Sequence, residues 1–155
     1  MTTRPSSRRR LLLQAGAGLA AQVLVRPASA QDAAAMAAAV SQFAGGQPVR
    51  RGRVKLEIAT LVDNGNVVPL RVTVDSPMSA ADHVSEIAIY NEKNPQKDVG
   101  RFTLGPRAGK AEVSTRIRLA TSQKLTALAR LSDGSVWSDT VDVVVVLAAC
   151  IEGES

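Results

Sequence analysis

The chain has 155 residues, 45% of them hydrophobic, 3% aromatic and 21% charged, with a formal net charge of +5. That length suits one domain with a real core. One cysteine excludes an internal disulfide, one histidine excludes a His-based metal cluster, and so few aromatics argue against a base-stacking surface.

Residues 1–30 read as a Tat-type signal peptide. Arg8-Arg9-Arg10 precedes an apolar stretch from Ala15 to Val25, and Ala28-Ser29-Ala30 is a small-residue cleavage site, with removal expected at about Gln31. The apolar stretch is too short and glycine-rich to span a membrane, so the expected location is the periplasm, with no membrane partner. The signal holds Arg4, Arg8, Arg9, Arg10 and Arg26 and no acid, which leaves 14 basic and 14 acidic residues in the mature chain. The basic character therefore belongs to the precursor and implies no nucleic-acid partner. Tat export carries folded proteins, and a chain without a cofactor cluster would travel as the companion of a bound partner.

Residues 31–48 are expected to form a helix and loop. Met36, Val40 and Phe43 recur at helical spacing, Asp32 is a candidate N-cap, and Gly45-Gly46 stops the helix. The loop runs from Gln47 to Gly52, and the helix should lie on one face or end of the sheet that follows.

Residues 49–147 change to a strand pattern. Val54–Ile58 and Val67–Asp75 alternate apolar and polar side chains around the turn Asp63-Asn64-Gly65-Asn66. A loop at 76–83 leads to Val84–Tyr90, with Val84 and Ile87 or Ile89 inward, and then to Val99–Leu104. Ala111–Leu119 puts Val113, Thr115, Ile117 and Leu119 on one face and Glu112, Ser114, Arg116 and Arg118 on the other. Leu125–Leu131, the turn Asp133-Gly134 and Ser135–Leu147 complete about seven strands. Short strands punctuated by turns predict an all-β, immunoglobulin-like antiparallel sandwich with a short N-terminal helix. Trp137 reads as a packing residue.

No catalytic constellation is visible. Met78 and His83 share a loop and could offer soft copper ligands, but a solvated loop histidine accounts for the same residues. Asp139 and Asp142 flank the last strand and read as water-facing rather than as an acid–base pair. No catalytic, cofactor-binding or metal-binding residue is assigned, and no cofactor is expected. Leu147-Ala148-Ala149-Cys150 looks like a lipid-attachment box, but that box works only at the end of an N-terminal signal.

Residues 148–155 are expected to be a flexible arm. The β-branched run Val141–Leu147 is followed by two alanines and Cys150, then by Ile151-Glu152-Gly153-Glu154-Ser155. Cysteines beside Val and Leu are commonly buried, inert thiols. Here the polar residues after Cys150 are ill suited to follow it into a core. The acids near it give no activation, so a partner's site would have to activate the thiol.

The stretches Asp63–Leu70, Val74–Met78, Asn91–Pro95 and Gly109–Ala120, in that order, resemble the SoxY family, the sulfur-carrier subunits of bacterial thiosulfate oxidation. The resemblance implies an immunoglobulin-like sandwich paired with a SoxZ-like subunit, and it implies that Cys150 is the covalent attachment point for sulfur intermediates. It makes the chain a carrier and not an enzyme. It also implies transient partners: a haem protein that joins thiosulfate to the thiol, a metal-dependent sulfate-releasing hydrolase, and a molybdenum–haem sulfane dehydrogenase. The family's usual Gly-Gly-Cys-Gly-Gly arm is replaced here by Ala148, Ala149, Ile151 and Glu152 around the cysteine. The other reading of the residues is a secreted immunoglobulin-like interaction module whose cysteine is structural or linked to a partner.

Overall fold

The computed structural model describes residues 28–147. One helix, α1 (Ala28–Ala44), precedes the strands β1 (Val49–Arg51), β2 (Val54–Ile58), β3 (Leu61–Asn64), β4 (Val68–Val74) and β5 (Val84–Asn91). These are followed by β6 (Asp98–Thr103), β7 (Glu112–Ile117), β8 (Gln123–Leu131) and β9 (Val136–Leu147). One sheet runs β1-β9-β8-β5-β6 with β3 also beside β9, and the other runs β2-β4-β7. The fold is the expected immunoglobulin-like sandwich, with nine described strands rather than about seven. Among the described residues no helix is long and apolar enough to cross a membrane.

Alternation builds the smaller sheet. Val68, Leu70, Val72 and Val74 of β4 point into the core, while Pro69 and Arg71 are exposed. Antiparallel partners flank β4, with Leu56 opposite Val72 on one side and Val113 opposite Val72 on the other. In the larger sheet β5 is buried on both faces. Its pairing with β8 shifts register between Val84 and Glu86. That irregularity brings Val84 into phase with Ile87 and Ile89, so all three enter the sandwich core. The sequence pattern had left the choice between Ile87 and Ile89 open, and both are buried.

The opposite face of β5 belongs to α1. Met36 and Phe43 pack on Ala88, Tyr90, Leu128 and Val136, with Val40 against the same cluster. The Arg130 guanidinium lies 4.8 Å from the Phe43 ring centroid and donates to the Phe43 carbonyl. Asp32 is not an N-cap. It lies inside the helix, which starts at Ala28, and its carboxylate takes the Lys97 ammonium at 2.7 Å.

Two short strands correct the expected connections. The loop expected over 47–52 contains β1, which runs parallel to β9 from Val49↔Val136 to Arg51↔Ser138. The expected turn at 63–66 begins inside β3, which runs parallel to the far end of β9, with Leu61 opposite Val144 and Asn64 opposite Leu147. The chain thus visits the larger sheet twice around β2. At the first crossing Gly52 has φ +120 beside Trp137, where a Cβ would meet the indole at 3.3 Å.

Candidate functional site

The cysteine singled out by the sequence, Cys150, lies outside the described residues, as do the rest of 148–155 and the twin-arginine stretch. The described part of the site is the framework that precedes that segment in the chain. β9 is held to its last described residue. The Leu147 carbonyl accepts the Gly65 N–H at 3.0 Å, and the Gly65 carbonyl accepts the Leu119 N–H at 2.8 Å. Two residues earlier, the Val145 N–H donates to Ser122 Oγ at 2.9 Å. Leu147 is thereby tied to the turn after β3, and Val145 to the connection between β7 and β8. Cys150 follows Leu147 by three residues, a reach of about 10 Å in extended chain.

Around this point the surface is mostly apolar, with Asp63 of β3 the exposed charge beside it. Val143 and Val145 face the core, so Val144 and Val146 face out. Leu61 lies opposite Val144 in the parallel register and is 62% exposed, as is Val146; Leu147 is 64% exposed. β3 is also a sheet edge, with β9 on one side. Farther back on the same outer face, α1 and β9 enclose a groove of about 700 Å³ lined by Met36, Val40, Val49, Thr126 and Thr140. Lys124 and Asp142 meet at its rim at 2.8 Å. The Asp142 carboxylate holds the Lys124 ammonium above its usual pKa through that hydrogen bond and charge.

The other residues weighed from sequence serve the fold. Met78 is a core residue with φ +49, and its sulfur accepts the Val84 N–H at 3.4 Å. His83 Nδ1 lies 3.1 Å from the Ser79 carbonyl of its own loop. The sulfur of Met78 is therefore turned into the sandwich. Among the described residues no three His, Cys, Asp or Glu side chains gather into a metal-binding group. Asp142 is exposed, but Asp139 is half-buried. Its Oδ2 accepts the Leu56 N–H at 2.9 Å and its Oδ1 accepts the Thr140 N–H at 2.9 Å. It ties β2 of one sheet to β9 of the other. Trp137 is flanked by Arg50 and Arg53, at 5.8 and 5.6 Å from its ring centroid.

The exposed strip of Leu61, Val144 and Val146 is not legible in the sequence. A four-residue strand leaves no period of its own, and the valines of β9 gave no sign of which would stay uncovered.

Comparison with known proteins points one way for the family. The model of the family described as "Sulfur oxidation protein SoxY" matches residues 40–150. No curated protein matches by sequence. Among solved structures, the sulfur carrier protein SoxY from Chlorobium limicola f thiosulfatophilum is 24% identical. It covers 73% of this chain and 97% of its own, with a TM-score of 0.62. A superoxide reductase (neelaredoxin) from Ignicoccus hospitalis is 23% identical over 61% of this chain and 80% of its own, with a TM-score of 0.54. A putative superoxide reductase from Thermotoga maritima is 21% identical over 66% of this chain and 89% of its own, with a TM-score of 0.52. At such identities these likenesses show a shared sandwich fold and nothing about chemistry.

Proposed function

Because the chain belongs to the SoxY family of sulfur oxidation proteins, we propose that it carries sulfur intermediates covalently on Cys150 and presents them to separate enzymes. The observation that carries this reading is the family match, which takes in Cys150. The family match stops at residue 150, and the described framework is anchored up to Leu147, three residues before it. An anchored strand followed by a short segment gives a thiol a fixed origin and a reach of about 10 Å.

The chemistry follows from the thiolate. Attack through sulfur on thiosulfate forms a Cys–S–S bond and releases two electrons, which a haem protein would take. Water then cleaves the outer S–S bond at the sulfonate, giving sulfate, two protons and a persulfide anion that stays on Cys150. A metal-dependent hydrolase would catalyse this step, and a sulfane dehydrogenase would oxidise the remaining sulfur. The carrier supplies attachment and position, and the partners supply electron transfer and activation. A free thiol has a pKa near ~8.5, so the partner's site must favour the thiolate.

The reading includes a SoxZ-like subunit, with the apolar strip of Leu61, Val144 and Val146 as its seat, and Tat export to the periplasm. The alternative is a secreted interaction module with a structural or partner-linked cysteine. Intact-mass measurement of the protein from thiosulfate-grown cells decides between them. A carrier shows reductant-labile mass increments on Cys150. Protein that never carries such an increment would leave only the module.

A further inference from the structure

The three-stranded sheet carries a cationic outer face at the same end as Leu147. Arg116 lies on that face of β7, and Arg118 follows two residues later, also exposed. Two side chains at i and i+2 of an extended strand stand about 7 Å apart on one side. Their neighbours are already matched: Lys55 takes Glu57 at 2.7 Å, and Arg71 takes Glu112 at 3.5 Å. Lys55 holds the Glu57 carboxyl below its usual pKa, through its hydrogen bond and then its charge. Among the described residues the ion pairs engage neither Arg116 nor Arg118. Arg116 also borders an open depression of about 770 Å³ over Pro69, Leu70 and Arg71.

The path from the end of β9 to this pair is short. Leu147 is bonded to Gly65 and Gly65 to Leu119, the residue after Arg118. Two such steps between neighbouring strands cover roughly 10 Å. Glu152 and Glu154 lie five and seven residues past Leu147, so extended chain carries them up to about 17 and 24 Å. The acids repeat at the same i, i+2 spacing as the arginines. Asp63, the acid nearest the exit on β3, alternates away from Val62 to the outer side of the larger sheet, away from the arginines.

We infer that Arg118 and Arg116 dock the segment after Cys150 by pairing with Glu152 and Glu154. The dock answers a problem set by the sequence. Two carboxylates within four residues of the thiol repel any anion approaching it, and thiosulfate is an anion. Bound to the arginines, they are neutralised and drawn away from the sulfur. The inference rests on the carrier reading only in requiring that Cys150 be presented to solvent.

The test compares alkylation of Cys150 by the anion iodoacetate and by neutral iodoacetamide at low ionic strength. It uses the full mature chain with whatever subunit co-purifies. Four forms are needed: wild type, Arg116→Gln/Arg118→Gln, Glu152→Gln/Glu154→Gln, and all four changes together. Exposing two carboxylates at this range should lower the iodoacetate-to-iodoacetamide rate ratio about three- to tenfold in the arginine variant. The ratio should return to within about twofold of wild type when the glutamates are also replaced, and molar salt should flatten the differences. An arginine effect of equal size with and without the glutamates would mean that the arginines act on the reagent itself, and would overturn the dock. An unchanged ratio in the arginine variant would overturn it as well. Intact-mass detection of sulfur on Cys150 reports separately on the carrier reading, so either idea can fail while the other stands.

Discussion

At the scale of single residues, the carrier reading puts function and stability on different side chains. On the carrier reading Cys150 is presented to solvent, so Cys150→Ser should leave the melting temperature within about a degree, as surface changes do. Sulfur uptake should vanish, and paired calorimetry and intact mass check both halves. A fall in melting temperature alongside the lost adduct would mark a structural thiol. Asp139 is the opposite case. It accepts two backbone N–H groups, one of them from the other sheet. Asp139→Ala leaves the part-buried Leu56 N–H without that acceptor and should cost about 1–3 kcal/mol. Urea unfolding reads this directly, with carrier chemistry on Cys150 retained. The sequence marked Cys150 by its rarity and place. It could not mark Asp139, because the Leu56 partner lies 83 residues away and nothing local records that pairing.

At the scale of elements, α1 is the lid of the larger sheet. Met36 and Phe43 seal a second cluster, and Arg130 and Arg101 line the Phe43 ring at 4.8 and 6.0 Å. Phe43→Ala removes the largest buried side chain of that helix and should cost about 3–5 kcal/mol. Hydrogen exchange should show the loss as faster opening in α1, with the smaller sheet β2-β4-β7 still protected. The helix was legible because Met36, Val40 and Phe43 repeat at its own period, and β4 because its alternation is clean. The strands β1 and β3 were not. Their three and four residues are mostly exposed, and they become strands by lying against β9. Edge strands of this kind are defined by the partner and not by their own pattern. The β5 bulge was hidden for a related reason, since register is a property of two strands at once.

At the scale of the whole molecule, three features converge on one end of the sandwich: the anchored Leu147, the open edge of β3 and the uncovered side chains of Leu61, Val144 and Val146. An exposed sheet edge with apolar side chains invites association and is costly to leave bare. A subunit seated there would stand beside whatever Cys150 carries, so one surface would serve both assembly and delivery. The groove beside α1 lies farther back on the same face and offers a competing seat. Leu61→Asp with Val146→Asp separates the two. Both side chains are about three-fifths exposed, so the pair of changes should move stability by no more than about 1 kcal/mol. A charge in the centre of an apolar contact should weaken binding of the proposed SoxZ-like subunit by more than 2 kcal/mol, about thirtyfold or more in Kd. Sedimentation equilibrium of the purified pair, alongside a melting curve of the free variant, supplies both numbers. Unchanged affinity with the fold intact would move the subunit to the α1 groove, where Val40→Asp becomes the disruptive change. The exit of β9 would then lie open, and the thiol's protection between enzymes would have to come from this chain alone.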